Sequence, residues 1–432
     1  MLKRKMTDTL LEWSRTRNRE CLLVKGARQI GKTYIIREFG KKYYKNFIEL
    51  NFLKNPEHKE IFEGSLSAEE IYKRLTVQVG NAELIPDKTL IFLDEIQECG
   101  AARTALKFLA EDNRYDCIAS GSMLGVAYKQ TASVPVGYER QIEMFALDLE
   151  EFLWAIKMSE DAIDNVREYF YSKQQIPKAI NDAMMKNLRE YMIVGGMPAV
   201  VNKYIETSNF NEVHSEQTKI IMSYLDDIAK YASTAEKPKV RNCYLSIPRQ
   251  LAKENKKFQY SVVEKGGTAR KYDNSLEWMR DAGYIKYCVN VSRPEFPLPA
   301  YEEPNYFKAY ATDIGMLTAM YGYEMKAAVY NNTLKGPAKG GLYENLIADI
   351  LMKKKLPLNY YKPSENRQEI EFLYTEGGAI IPVEVKAGNN AAVSLDEFIE
   401  TFEPPYGLKL INGNSGINGR KVSMPLYMAM FL

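Results

Sequence analysis

Eight residues near the start of the chain constrain its fold more than any other stretch: Gly26-Ala27-Arg28-Gln29-Ile30-Gly31-Lys32-Thr33. They match G-x-x-x-x-G-K-[ST] in full, and the text on either side fits. The apolar run Cys21-Leu-Leu-Val24 predicts a strand before the bend, and Tyr34-Ile-Ile-Arg-Glu-Phe39 predicts a helix after it, closed by Gly40. Glycines in such a bend let main-chain amides curl round phosphate oxygens, and the start of the helix adds the positive end of its dipole. Lys32 is then placed to reach the β- and γ-phosphates of ATP, and the Thr33 hydroxyl to ligate Mg²⁺. The bland alternative is a strand-to-helix turn with an incidental lysine.

Leu90-Ile-Phe-Leu-Asp94-Glu95 reads as a buried strand ending in two acids. Asp94 is placed to support the metal and Glu95 to polarise an attacking water; without a metal they are ordinary surface acids. A third run, Tyr115-Asp-Cys-Ile-Ala-Ser120-Gly-Ser122, ends in small polar residues. Ser120 there is either a γ-phosphate sensor or part of a Ser/Gly turn. Arg140 precedes the run Ile142–Leu147 and is placed to reach a γ-phosphate in its own chain or across a subunit interface, the alternative being a surface arginine. The candidates are therefore Glu95, Lys32 and Arg140 for catalysis, residues 26–33 with Ser120 for the nucleotide, and Thr33 with Asp94 for the metal.

The runs Cys21–Val24, Phe47–Phe52, Thr89–Leu93, Cys117–Ala119 and Ile142–Leu147 alternate with helical patterns. That order predicts an α/β unit around a largely parallel sheet, because parallel strands need crossover helices. Ser67-Ala-Glu-Glu70 predicts a helix start with a capping box. Four segments are expected: a phosphate-loop core over 1–155, a helical connector over 156–235 broken at Gly195-Gly-Met-Pro198, a third segment over 236–334, and an α/β domain over 335–432. Lys335-Gly-Pro-Ala-Lys-Gly-Gly341 reads as a linker into the last.

Composition narrows the classes. The 58 Lys and Arg against 56 Asp and Glu leave a net charge of +2, so no global basic field marks a nucleic-acid binder. Five scattered cysteines and two histidines argue against a disulfide framework or a zinc site, and Cys21 and Cys117 read as core fillers. No apolar run approaches the roughly 18 residues of a membrane span. Lys3, Arg4 and Lys5 are followed by Asp8 and Glu12 rather than by the apolar core of a signal peptide, and the chain is expected to be cytoplasmic.

Taken in order, these pieces resemble the prokaryotic AAA-type ATPases that carry a C-terminal domain of unknown function. The resemblance rests on Gly26–Thr33, Ile91-Phe-Leu-Asp-Glu95, Ser120-Gly-Ser122, Arg140, Leu149-Glu-Glu-Phe-Leu153, Tyr191-Met-Ile-Val-Gly-Gly-Met-Pro198, Tyr224-Leu-Asp-Asp-Ile228, Tyr343-Glu-Asn345 and Pro382-Val-Glu-Val-Lys386. It implies an ATPase core, a winged-helix segment and a C-terminal domain similar to restriction-endonuclease folds. In that family the arginine follows a glycine directly, whereas the text here is Gly137-Tyr-Glu-Arg140.

Residues 237–293 hold 13 Lys and Arg against 5 Asp and Glu. Ser261–Gly267 reads as a short helix and turn, Thr268–Gly283 as a longer helix, and Tyr284–Val289 with Asn305–Ala311 as a two-stranded wing. That is a DNA-binding layout, with Lys256, Lys257, Arg270 and Lys271 on phosphates, unless the segment packs between domains and its lysines form a solvated face. Near the end, Glu384 and Lys386 share a strand face, with Glu371 on the preceding strand and Glu344 on the helix before it. The set Glu344, Glu371, Glu384 and Lys386 resembles a metal-dependent nuclease site, with Glu371 where an aspartate is usual; the alternative is an inert, salt-bridged strand pair.

Overall fold

The computed structural model describes residues 2–16, 20–80, 82–122, 137–363, 368–386, 388 and 393–432. The chain divides into two compact units, Arg4–Ala146 with Asp281–Gly283, and Leu147–Arg280 with Tyr284–Leu432 and Met1–Lys3.

The first unit is built on five strands, β1 (Cys21–Lys25), β2 (Asn46–Asn51), β3 (Thr89–Asp94), β4 (Asp116–Gly121) and β5 (Glu139–Glu143), in the order β2-β3-β4-β1-β5. Every ladder among them is parallel. Helix α1 (Met6–Thr16) precedes β1, and α2 (Lys32–Tyr43), α3 (Ala68–Gln78) and α4 (Gly100–Asp112) lie in the first three connections. β3 is buried along its whole length, which is why its sequence is an unbroken apolar run rather than an alternating one. Leu50, Phe52, Ile71, Leu75, Leu93 and Leu106 share the core between sheet and helices. Parallel strands finish on one edge, so Asn51 pairs with Asp94 and Lys25 with Gly121, bringing the ends of four strands together.

Several local expectations are corrected. The last strand is Glu139–Glu143 rather than Ile142–Leu147; Met144, Ala146 and Leu147 are apolar because they are buried beyond it. Helix α2 continues through Gly40 to Tyr43, since the Phe47 ring packs where any side chain at residue 40 would stand. Ser67 is the N-cap of α3 but its side chain makes no cap bond, whereas a complete capping box forms between Asp148 and Glu151 at the start of Leu149–Ala155.

In the second unit, helices between Leu149 and Tyr330 accompany an eight-stranded sheet. Its strands are β6 (Ile285–Val291), β7 (Glu302–Ala311), β8 (Asn359–Tyr361), β9 (Ile370–Glu376), β10 (Ala379–Lys386), β11 (Gly407–Ile411), β12 (Gly416–Asn418) and β13 (Lys421–Pro425). They run in the order β12-β13-β11-β10-β9-β8-β6-β7. β6 is antiparallel to β7 and parallel to β8, so the hairpin expected in the third segment and the strands expected in the fourth belong to one sheet. The expected linker is the first turn and a half of an 18-residue helix, Gly336–Lys353. Pro337 is at home there because the first turn has no partner for the amide that proline lacks.

Buried polar side chains fasten this unit. Asn345 accepts from Ala311 N at 2.8 Å and donates to Ala311 O at 3.1 Å. Asp313 accepts from Gly196 N at 2.7 Å and Met316 N at 3.0 Å. Gln217 donates to the carbonyls of Ile193, Val194 and Gly315. Lys353 Nζ meets Asp349, the Tyr191 hydroxyl and Leu147 O within 3.0 Å. Replacing Asn345 with Ala leaves a buried amide and a buried carbonyl unpaired, so urea unfolding should show a loss of about 2 kcal/mol or more; an unchanged midpoint would refute the bracket.

Candidate functional site

β1 delivers the chain to Gly26, whose φ of +149° and closeness to Met144 O, 2.2 Å from where a Cβ would sit, admit only glycine. Gln29 and Gly31 also take positive φ, and Gly31 caps the start of α2. Lys32, 7% exposed, folds back over the bend, its Nζ donating to Gly26 O at 2.9 Å and Ala27 O at 2.7 Å. Burial pulls the pKa of Lys32 down to about 8, against the opposing pull of Glu95 and Asp94. Arg28 Nε donates to Ser122 Oγ at 3.2 Å, joining the bend to the end of β4.

Asp94 is the meeting point of the strand ends. Thr33 Oγ1 lies 3.1 Å from each of its carboxylate oxygens, Ser120 donates its hydroxyl to Oδ1, and Asn51 Nδ2 donates to Oδ2 at 2.7 Å. Burial raises the pKa of Asp94, with the Ser120 bond acting the other way. Glu95 follows in a left-handed conformation, φ +56°, and its carboxylate accepts from Gln97 Nε2. Thr33, Lys32, Asp94, Glu95 and Ser120 are thus brought together as the sequence leads one to expect. Asn51 is the residue the sequence reading overlooked. Its place as the polar last residue of β2, paired with Asp94, emerges only once the strand order is known. One turn along α2, Arg37 forms a two-pronged pair with Glu49 of β2 at 2.5 and 2.6 Å.

Arg140 is corrected. It is the second residue of β5, opposite Leu22, four residues before the bend begins. At about 3.3 Å per residue that is roughly 13 Å along the strand, beyond an arginine side chain, so it does not serve the loop of its own chain.

The second cluster is assembled but differently charged from the expectation. The register of β9 and β10 places Phe372 opposite Val383, and one residue further it sets Glu371 beside Glu384. Lys386 Nζ is 2.7 Å from Glu384 and 3.9 Å from Glu371. Glu344 is held by Lys256 at 2.7 Å, Lys308 at 3.3 Å and the Tyr310 hydroxyl at 3.1 Å. Lys308 also pairs with Glu369, which meets Lys362 at 3.1 Å. Burial, with Glu344 nearby, pushes Glu371 up to about 8, while the two lysines outweigh burial and lower Glu344. Four acids thus face four lysines of the same chain, and among the described residues no group of three acidic, His or Cys side chains is arranged to hold a metal ion. The phosphate contacts expected of the basic segment shrink for the same reason: Lys256 is committed to Glu344 and Lys271 pairs with Glu264 at 2.6 Å. Lys257 lies over the Tyr306 ring, and Arg270 stands exposed beside Asp273 and Asn274.

Three family models match the chain: an AAA domain over residues 18–153, a domain of unknown function (DUF8612) over 185–327, and a domain of unknown function (DUF4143) over 339–427. No curated protein matches. Among solved structures the chain is similar to the Walker-type ATPase of Pyrococcus abyssi, at 15% identity over 74% of this chain and 96% of that one, TM-score 0.43. It is also similar to the RuvB Holliday junction branch migration motor of Thermotoga maritima (12%, 66% and 89%, TM-score 0.31) and to Cdc6p from Pyrobaculum aerophilum (11%, 76% and 93%, TM-score 0.25). The AAA match, the parallel sheet and the complete loop together make residues 18–153 an AAA-type P-loop domain. No helix among the described residues is long and apolar enough to cross a membrane.

Lys32 yields a prediction with a definite sign. Its folded pKa lies below the 10.5 of a free lysine, so without ligand stability is gained as pH rises from about 8 toward 10.5. A phosphate favours the ammonium form, so binding at about pH 9 must take up a proton. ADP titrations in buffers of different ionisation heat should show that uptake, with affinity falling above about pH 8. Pure independence of buffer and pH would remove Lys32 from the phosphate site.

Proposed function

We propose that the chain is an Mg²⁺-dependent ATPase of the AAA type, hydrolysing ATP to ADP and phosphate. The observation that carries this reading is the convergence of the Thr33 and Ser120 hydroxyls and the Asn51 amide on Asp94, directly beside the lysine-filled bend. Backbone amides of residues 27–33 bind the phosphates, and Lys32 exchanges its bonds to Gly26 and Ala27 for bonds to phosphate oxygen.

Thr33 and Asp94 are the residues that would hold Mg²⁺. The fit is a chemical one: a hydroxyl and a carboxylate 3.1 Å apart, the carboxylate buried and raised by burial, suit a cation that keeps most of its ligands as water and phosphate. Bound there, the ion would neutralise charge on the phosphates. Ser120 and Asn51 fix the orientation of Asp94. Glu95, turned out by its left-handed backbone and steadied by Gln97, takes the proton of the attacking water. Arg140 is assigned no role within its own chain; a role across a subunit interface is the form of that idea consistent with its place on the edge strand β5.

Glu95→Gln should lower the turnover rate by about 10²- to 10⁴-fold with ATP still bound, and Lys32→Ala should abolish binding. Phosphate release and equilibrium binding assays separate the two, and full turnover in both variants would end the ATPase reading. DNA contact is carried by the exposed basic residues alone and stays secondary: Asp273 and Glu277 share the helix with Arg270 and Arg280. Cleavage is not proposed: Glu344 pairs with Lys256 and Lys308, Glu384 pairs with Lys386, and burial beside Glu344 pushes Glu371 up to about 8, which leaves it protonated near neutral pH. Plasmid incubated with Mg²⁺ or Mn²⁺ should show no product beyond a Lys386→Ala control.

A further inference from the structure

We infer that Arg4 is a positioning residue for the phosphate loop: it holds the Ile30 carbonyl outward and so aims the Gly31 amide at the phosphates. The inference rests on the nucleotide reading above and adds a residue from outside the motif. Arg4 lies 22 residues before the loop, yet its side chain is only 8% exposed. Its Nη1 donates to Ile30 O at 3.1 Å, and its Nη2 donates to Phe145 O at 2.7 Å.

The peptide unit joining Ile30 to Gly31 is planar and trans, so its C=O and N–H point in opposite directions. A donor that fixes the oxygen on one side therefore fixes the amide hydrogen on the other. Gly31 needs such help because it is the cap of α2 with φ +93°, in a region where glycine moves freely. Gln29, φ +64°, precedes the same peptide and stores strain that would otherwise let the loop relax. Lys32 secures the loop from within through the carbonyls of Gly26 and Ala27, and Arg4 secures it from outside through that of Ile30.

The anchor is itself well fixed. Phe145 follows Met144, whose N–H bonds Lys25 O and whose own carbonyl packs on Gly26, so one guanidinium ties both sides of the bend. Arg4 O accepts from Thr7 N at the start of α1, and α1 buries Met6, Leu10 and Trp13. The fork matters as much as the charge: two carbonyls on separate segments need two donors at fixed spacing, which arginine supplies and lysine does not.

The test uses the full chain, with affinities for ADP and AMP and steady-state ATP turnover. The Gly31 amide faces the outer phosphates, so Arg4→Ala should weaken ADP about tenfold, leave AMP unchanged, and raise KM for ATP about tenfold with kcat within about twofold. Arg4→Lys should recover only part of the loss. Leu10→Ala, which loosens α1 with Arg4 intact, should lower the thermal midpoint without moving KM. If Arg4→Ala fails to fold, Arg4→Lys and Arg4→Gln give the same comparison. An unchanged KM, a fall in kcat alone, or equal losses for ADP and AMP would overturn the assignment. A wild-type chain that binds no ATP fails the nucleotide reading itself, a result separable from a wild type that binds and a variant that binds equally well.

Discussion

One buried carboxylate organises the first unit. Asp94 is carried to the sheet edge by a strand with no exposed face, and there it collects donors from three other elements: the first turn of α2, the end of β2 and the end of β4. Each of those bonds is modest, about 1 kcal/mol net when donor and acceptor are neutral and more when one is charged. Their joint effect is to fix how four strand ends stand relative to the bend. A negative charge so enclosed favours a cation nearby, and Asp94 helps hold the ammonium form of Lys32 against its burial.

Much of this is legible in the sequence. The glycine-framed motif, the apolar run into Asp94-Glu95 and the small polar end of β4 are local signals, and each names a position on a parallel sheet whose edge is shared. What escaped was non-local. Nothing around Asn51 marks it until β2 is known to lie beside β3. Arg4 sits in the short basic run Lys3-Arg4-Lys5, where nothing local ties it to the loop. Arg140 carried the right chemistry in the wrong register, because the apolar residues after it belong to a buried exit and not to the strand. Glycine and proline misled at 335–341, where a helix start tolerates both.

The segments outside the loop that resemble a family have a common physical basis in the second unit. Tyr191 and Gly196 belong to the hydrogen-bonded ring around Asp313, Asp349 and Lys353. Tyr224 stacks on Tyr284 at 4.1 Å, and Tyr284 donates to Asp227. Asn345 brackets Ala311, and Glu384 with Lys386 completes the charge-balanced group. Such positions tolerate little change, since a buried polar atom without its partner costs more than the bond ever contributed. Residues that look catalytic by type can therefore be retained for architecture.

The continuity of the large sheet bears on how the molecule can be taken apart. β8 is three residues long and, among the described residues, it alone joins the β6–β7 hairpin to β9. A fragment starting after residue 334 would present that seam as a raw edge, with unpaired amides and carbonyls and the apolar underside of the hairpin gone. Expressed alone it would tend to stick to itself. Domain exchange in this chain is better attempted where β5 ends, near Ala146, than at the glycine-rich stretch that looks like a hinge.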